Sequence, residues 1–369
     1  RLPAAPLRVR LEQWRPAVQV ATFADGVAFQ ENLTVTDQPR FSRRLAVAVR
    51  ADCPVTVLPP EMGSAGIGGV GIGNAGIESA DKALLLEVTP VVDAAGVARC
   101  TVYVANPVTK ADTDPLAAAQ TQLDRVMARG WPAVSRAVAD RWHRFWERSF
   151  LHLSSPDGVA DYMENLWFLH LYWMGCAGEG EFAVKFNGGL FPMHRDSRSW
   201  GTHYWFQNTR ELYWPLPAAN HLELCTPFQR LYLSTSQAHR GLARTLFAKS
   251  GMQVEETMNI AGAGDKSGNP YTMLYLSTGI ECALQLYRQC VHARDDAMLR
   301  EQVYPMLKET VAFYMDYATL GADGRRHIVP ENARETYWRV EDGLTSLSAL
   351  RVALPVLVRE SGGVSAAEV

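Results

Sequence analysis

The stretch Asp114–Ser149, DPLAAAQTQLDRVMARGWPAVSRAVADRWHRFWERS, divides the chain in two. Its first half opens on Asp-Pro and closes on Gly130, the start and stop signals of a helix. A second helical run follows, with Trp142, Phe145 and Trp146 at i, i+3, i+4 spacing, which reads as a core-facing stripe. Upstream of this stretch the period is two. RLAVAV (Arg44–Val49), PVTVLP (Pro54–Pro59), ALLLEVTPVV (Ala83–Val92) and ARCTVYVAN (Ala98–Asn106) are short, β-branched runs bounded by Pro, Gly and Asp. They predict antiparallel strands over residues 1–110, a partial β-sandwich. Residues 111–150 then read as a helical linker, and 151–369 as helices, expected at 157–178, 208–223, 226–250, 271–293, 295–320 and 342–360. Helices joined by long loops rich in Gly, Asn and His describe a helical toroid, in which the loops carry the function.

The composition is that of an ordinary globular chain: 47% hydrophobic and 20% charged residues, with a formal charge of -3. A slightly acidic surface argues against general affinity for nucleic acid or an anionic membrane. No run of roughly 20 apolar residues is present, so no membrane-inserted segment is expected. The six cysteines form no C-x-x-C pair and read as buried thiols. The His residues, among them His143, His152, His170 and His221, lack ligand spacing and read as structural; no metal and no cofactor is expected. Gly71-x-Gly73-x-x-Gly76 matches the dinucleotide fingerprint by letter, but the extended KALLLEV after it is no helix, so it reads as a surface loop.

Chemistry concentrates in FNGGLFPMHRDSRSWGTHYWFQNTREL, Phe186–Leu212. A sugar offers hydroxyls in fixed geometry and apolar C–H faces, so its site needs flat rings and planar hydrogen-bonding groups. Trp200 and Tyr204 supply rings; Asn187, Gln207 and Asn208 supply amides; Arg210 supplies a guanidinium and His203 a titratable ring. Trp205 and Phe206 read equally as core. Glu256, in the polar loop Met252–Pro270, is a further candidate for binding. Glu281 stands among the apolar residues of STGIECALQLY and demands either a pocket or an Arg partner. In VPENARETYW (Val329–Trp338), a helical turn would bring Glu331 and Glu335 to one side. Burial beside Tyr337 or Trp338 would raise one carboxyl, while Arg334 or Arg339 would keep the other ionised, a division that suits general acid–base work.

The ordered series RWHRFWERSFLHL, CAGEGEFAVKFNGGLF, WGTHYWFQNTRELYWPLPAANHLEL, YPMLKETVAFYMDY and PENARETYW resembles glycoside hydrolase family 95, of the α-L-fucosidase type. Its KFNG and YWFQNTR segments are closer still to an uncharacterised bacterial branch of such proteins. The resemblance implies a β-sandwich, a helical linker and an (α/α)6 toroid of the six-hairpin glycosidase kind. It implies polysaccharide or oligosaccharide substrates, inverting release of a terminal α-linked sugar such as L-fucose or L-galactose, and a periplasmic or secreted location. Onto this sequence it places the general acid at Glu331, or at Glu335 by the E-T-Y segment of the closer branch, with Asn332 beside it at the substrate. It places a water-orienting amide at Asn208, where the partner Asn of the family's Asn-x-Asn pair is replaced by Phe206. The family's base is an Asp far downstream, expected beyond Val369 in a longer polypeptide. Two rivals stand beside this reading. One is a glycan-binding relative without the activity, as Phe206 suggests. The other is a phosphorylase, or a lyase using His203, Tyr204 and Arg210 against a uronate.

Overall fold

The computed structural model describes residues 5–12, 19–34, 39–62, 82–185, 203–264, 270–333 and 335–362. Asn187, Trp200 and the Gly71–Gly76 pattern lie outside these residues. The chain forms two compact units, Arg1–His143 and Arg144–Val369.

The first unit is antiparallel β with a helix. Strands β1 (Leu7–Glu12), β6 (Lys82–Val88) and β5 (Val55–Met62) make a sheet in the order β1-β6-β5. Strands β2 (Gln19–Phe23), β3 (Gly26–Leu33), β4 (Arg43–Ala51) and β10 (Val108–Lys110) make a second, in the order β10-β4-β3-β2, with β9 (Val102–Ala105) also pairing β4. A short hairpin, β7 (Val91–Val92) with β8 (Ala98–Arg99), lies between them in sequence. The alternation in β4 explains the layering. Val47 and Val49 face the three-stranded sheet, in one core with Val27, Phe29, Leu84 and Leu86. Ala46 and Ala48 face the other way, where with Ala28 and Ala105 they leave room for a helix backbone. That helix is the first half of α1 (Pro115–Trp146), which lays Leu116, Ala119 and Leu123 on the alanine floor. The helix breaks at Gly130, whose φ of 71° only glycine adopts readily, where the sequence placed a stop.

The second unit is helical, as expected. It comprises α2 (Val159–Ala177), α3 (Phe206–Tyr213), α4 (Thr226–Ser234), α5 (Ser236–Phe247), α6 (Pro270–Met273), α7 (Thr278–Ala293), α8 (Asp296–Met298), α9 (Tyr304–Tyr317) and α10 (Leu344–Glu360). α7, α9 and α10 pack on one another; α3 lies on α7 and α5 on α9. Three strand pairs interrupt them among the described residues: β11 (Tyr204–Trp205) with β12 (Thr257–Met258), β13 (Thr319–Leu320) with β14 (Arg326–His327), and a third near residue 335. Three expected helices are shorter or divided. The 208–223 run ends at Tyr213, two residues before the first of two prolines, Pro215 and Pro217. The 226–250 run divides at Thr235, and 271–293 divides between Met273 and Thr278. Among the described residues no helix is long and apolar enough to cross a membrane.

One local expectation is overturned. Residues 332–338 do not turn helically; β15 (Glu331–Ala333) pairs antiparallel with β16 (Tyr337–Val340), with Glu331 opposite Val340. The hairpin is held from outside: Asn332 N–H donates to the Leu274 carbonyl at 2.8 Å. Arg339, at φ 54°, donates its N–H to Asn332 Oδ1 at 2.9 Å. Tyr337 and Trp338, expected to bury a glutamate, are exposed.

Candidate functional site

The site is organised around Glu256. Its backbone carbonyl accepts the Phe206 N–H at 2.8 Å, and its Oε1 accepts the Gln207 N–H, also at 2.8 Å. A helix start leaves such donors without intrahelical partners and favours negative charge, so Glu256 caps α3. Its Oε2 accepts the Thr278 hydroxyl at 3.0 Å, tying in the first residue of α7. Burial pushes the Glu256 carboxyl up to about 7. The two hydrogen bonds and the Arg210 charge pull it down, and the charge of Glu335 pushes it up further. The amide-rich helix and the acidic hairpin, more than a hundred positions apart, thus both act on one carboxyl group.

Along α3, Phe206, Thr209 and Tyr213 face inward. Arg210, Glu211 and Trp214 occupy another side, at i, i+1 and i+4, and border a cavity of about 660 Å³. Its other described walls are Glu281 and Leu284 of α7 and Leu344, Thr345, Ser348 and Ala349 of α10. Arg210 forms an ion pair with Glu281 across the cavity wall, the partner that Glu281 demanded. Glu281 also accepts the Ser277 hydroxyl at 2.6 Å. The Trp214 ring is half exposed, and the Arg288 guanidinium lies 4.1 Å from its centroid, a stacked contact that fixes the ring plane.

Glu331, at the start of β15, is fully buried. Its two oxygens accept the Gly343 N–H and the Ser346 hydroxyl. Gly343 admits this because a Cβ there would stand 2.7 Å from Glu331 Oε1. Ser346 in turn exchanges a hydrogen bond of 2.8 Å with the buried Tyr314 hydroxyl. Burial raises Glu331 to about 7 against those two hydrogen bonds, and the neighbouring charge of Asp342 raises it further. Asp342 itself is held ionised by the Ile328 N–H and by His327, whose Nδ1 lies 2.7 Å from Asp342 Oδ2. His327 is pushed up by Asp323 and Asp342.

The remaining sequence candidates are placed as follows. Asn208 is exposed in the first turn of α3, and Gln207 is half-buried beside it. Glu335 is exposed in the turn of the β15–β16 hairpin. Asn332 is buried in that hairpin. Tyr204 is buried and donates its hydroxyl to the Ala183 carbonyl at 3.0 Å, a structural bond. His203 is half-buried just before β11. Glu331, Glu335 and Asn208 are not in the described lining of the 660 Å³ cavity. Sequence reading missed Trp214, Gly343 and Ser346. Trp214 carried a signal, four residues beyond Arg210 on the same helical side; the other two carried none, since their role is to meet Glu331. Among the described residues, two groups could hold a metal ion: His327 with Glu341 and Asp342, and Asp52 with Cys53 and Cys100.

A stability prediction follows from the two raised carboxyls. Both bind a proton more tightly folded than unfolded, between 4.5 and about 7. Their contribution is therefore full below pH 4.5 and lost as pH rises through 7. The Tm in scanning calorimetry is expected to fall between pH 5 and 7.5. Glu256→Gln, a neutral stand-in, is expected to flatten that slope.

Residues 179–354 match the glycosyl hydrolase family 95 catalytic domain. The resemblance to family 95, though not to its α-L-fucosidase type, is thus found independently over most of the helical unit. No curated protein sequence matches the chain. Among solved structures, one matching chain is a human-microbiome protein assigned as a kojibiose phosphorylase. The superposition has a TM-score of 0.60 at 11% identity and covers 92% of this chain and 42% of that one. It bears on the fold: β-rich first unit, then helices. The chain spans less than half the length of that relative.

Proposed function

We propose that this chain carries the substrate-binding wall and the general acid of an inverting glycoside hydrolase built on an (α/α)6 toroid. The observation that supports it is the Arg210–Glu281 ion pair and the Trp214 ring on the wall of the open cavity of about 660 Å³, with α3 tied to the buried Glu256. Glu331 is the preferred acid. It keeps its proton near neutral pH, as protonation of a leaving oxygen demands. Substrate entry then exchanges the Ser346 hydrogen bond for the glycosidic oxygen, because catalytic hydrogen bonds often form only in the complex. A second carboxylate, with the Asn208 amide, orients water on the opposite face; inversion needs the pair roughly 6.5–9.5 Å apart. Trp214 stacks against the sugar, and Leu284, Leu344 and Ala349 suit the methyl group of a deoxy sugar such as L-fucose. Glu335 is the alternative acid, favoured by its exposure to an incoming substrate.

The test is incubation with aryl α-glycosides and oligosaccharides, with and without inorganic phosphate, following the first product by NMR. Free sugar released as the β-anomer without phosphate is expected. Product formed only with phosphate, as a sugar 1-phosphate, would make the protein a phosphorylase like its assigned structural relative. No cleavage in any arm, with glycan still bound, would leave a binding protein. Trp214→Ala is expected to raise KM at least ~10-fold with kcat little changed, since it removes stacking common to ground and transition states.

A further inference from the structure

The first unit holds a feature that the glycoside chemistry does not use. Strand β4 pairs β9 with Ala48 opposite Ala105 and Ala51 opposite Val102. Beyond the strand ends the same register continues: the Asp52 N–H donates to the Thr101 carbonyl at 3.1 Å, and the Thr101 N–H to Asp52 Oδ1 at 2.8 Å. One step further, Cys53 stands opposite Cys100. Asp52 and Thr101 share one backbone hydrogen bond, the Thr101 N–H going to the Asp52 side chain, and Cys53 and Cys100 follow just beyond the paired strands. Both side chains point to the same sandwich core, Cys53 buried in it and Cys100 packed against it. The two Sγ atoms and an Asp52 oxygen lie within 4.8 Å of one another.

We propose that Cys53 and Cys100 are a covalent modification site, a dithiol that closes to a cross-strand disulfide with a small-molecule disulfide as oxidant. The step balances by exchange. The half-buried Cys100, as thiolate, attacks one sulfur of the oxidant; a mixed disulfide forms and one small thiol leaves. Cys53 then attacks the Cys100 sulfur, losing its proton to solvent, and a second small thiol leaves. Two protein thiols are oxidised and one external disulfide is reduced to two thiols. Cys53 is suited to the second role rather than the first. Burial and the neighbouring Cys100 and Asp52 push its thiol up to about 12, so an external disulfide finds little thiolate there. The other cysteines are not so paired: Cys225, Cys282 and Cys290 are buried and Cys176 is exposed.

The experiment uses the whole chain carrying Cys176→Ser, which removes the exposed thiol, treated with oxidised glutathione at pH 8. Peptide mapping without reductant is expected to show one Cys53–Cys100 crosslink, and intact mass a loss of about 2 Da with no retained glutathione. The loop closed is roughly 50 residues, so Tm of the first unit is expected to rise by about 5 °C or more, and to return on reduction. Cys53→Ser is expected to stop at a glutathione adduct on Cys100. The proposal is overturned by an adduct persisting on Cys100 while Cys53 is present, by crosslinks to other cysteines, or by six-hour treatment leaving Cys53 and Cys100 free. Should Cys53→Ser fail to fold, the crosslink map of the Cys176→Ser protein decides alone.

Discussion

Glu331→Gln is expected to lower kcat by about 10³-fold while leaving the fold intact at pH 6. Near neutral pH the buried carboxyl carries its proton, so the amide is close to a copy of it in shape and charge. The Gln oxygen can still accept the Gly343 N–H, and the amide N–H can donate to the Ser346 hydroxyl. What the amide cannot do is release a proton to a leaving oxygen. The loss should therefore shrink for aryl glycosides with acidic phenols, which leave without help, and stay full for oligosaccharides. Stability separates this from a structural role. The wild type loses stability as pH rises from 4.5 through about 7 and the variant does not, so the two are expected to be equally stable near pH 4 and the variant the more stable above it, fully so at pH 8. If Glu331→Gln keeps wild-type rates while Glu335→Gln loses them, the acid is Glu335 and Glu331 only anchors the hairpin to the start of α10.

What could be read in the sequence was what depends on local period. The Ala/Val alternation of β4 declares two buried faces, and Asp-Pro and Gly130 bracket the first half of α1, because both signals sit in the residues themselves. The isolated Glu281 declared a missing cation, since an unpaired charge on an apolar helix is costly. The stretch 331–338 could not be read the same way. Glu331 and Glu335 at i, i+4 imitate a helix, and what selects a hairpin lies elsewhere: the Leu274 carbonyl, the Gly343 N–H and the left-handed Arg339. Tertiary hydrogen-bond partners override local spacing, and neither Leu274 nor Gly343 leaves a mark near the residues it fixes. The same holds for Glu256, which read as a loop acid reaching toward substrate. Its partners, the Gln207 N–H and the Thr278 hydroxyl, make it the cap of α3, tied to the first residue of α7.

Arg210→Met is expected to cost roughly 3 kcal/mol of stability, because it removes one partner of a largely buried ion pair and keeps the other. The Arg210 and Glu281 side chains are only 18% and 21% exposed, so solvent does little to screen the charge left behind. Glu281 retains the Ser277 hydroxyl alone, and Glu256 loses the one cation that draws its carboxyl down. The Glu256 carboxyl should therefore rise further, toward permanent protonation, and the pH dependence of stability should steepen above pH 7 relative to wild type. Arg210→Met with Glu281→Gln removes both charges together and is expected to recover most of the lost stability in urea unfolding. If the single substitution costs no more than the double, the pair contributes nothing as a pair. Binding should not be recovered with the fold. The double variant still lacks the guanidinium at the cavity wall, so KM for a cleaved glycoside is expected to remain at least ~10-fold raised after stability returns. That separation of recovered folding from unrecovered binding is what distinguishes a substrate-facing arginine from a purely structural one.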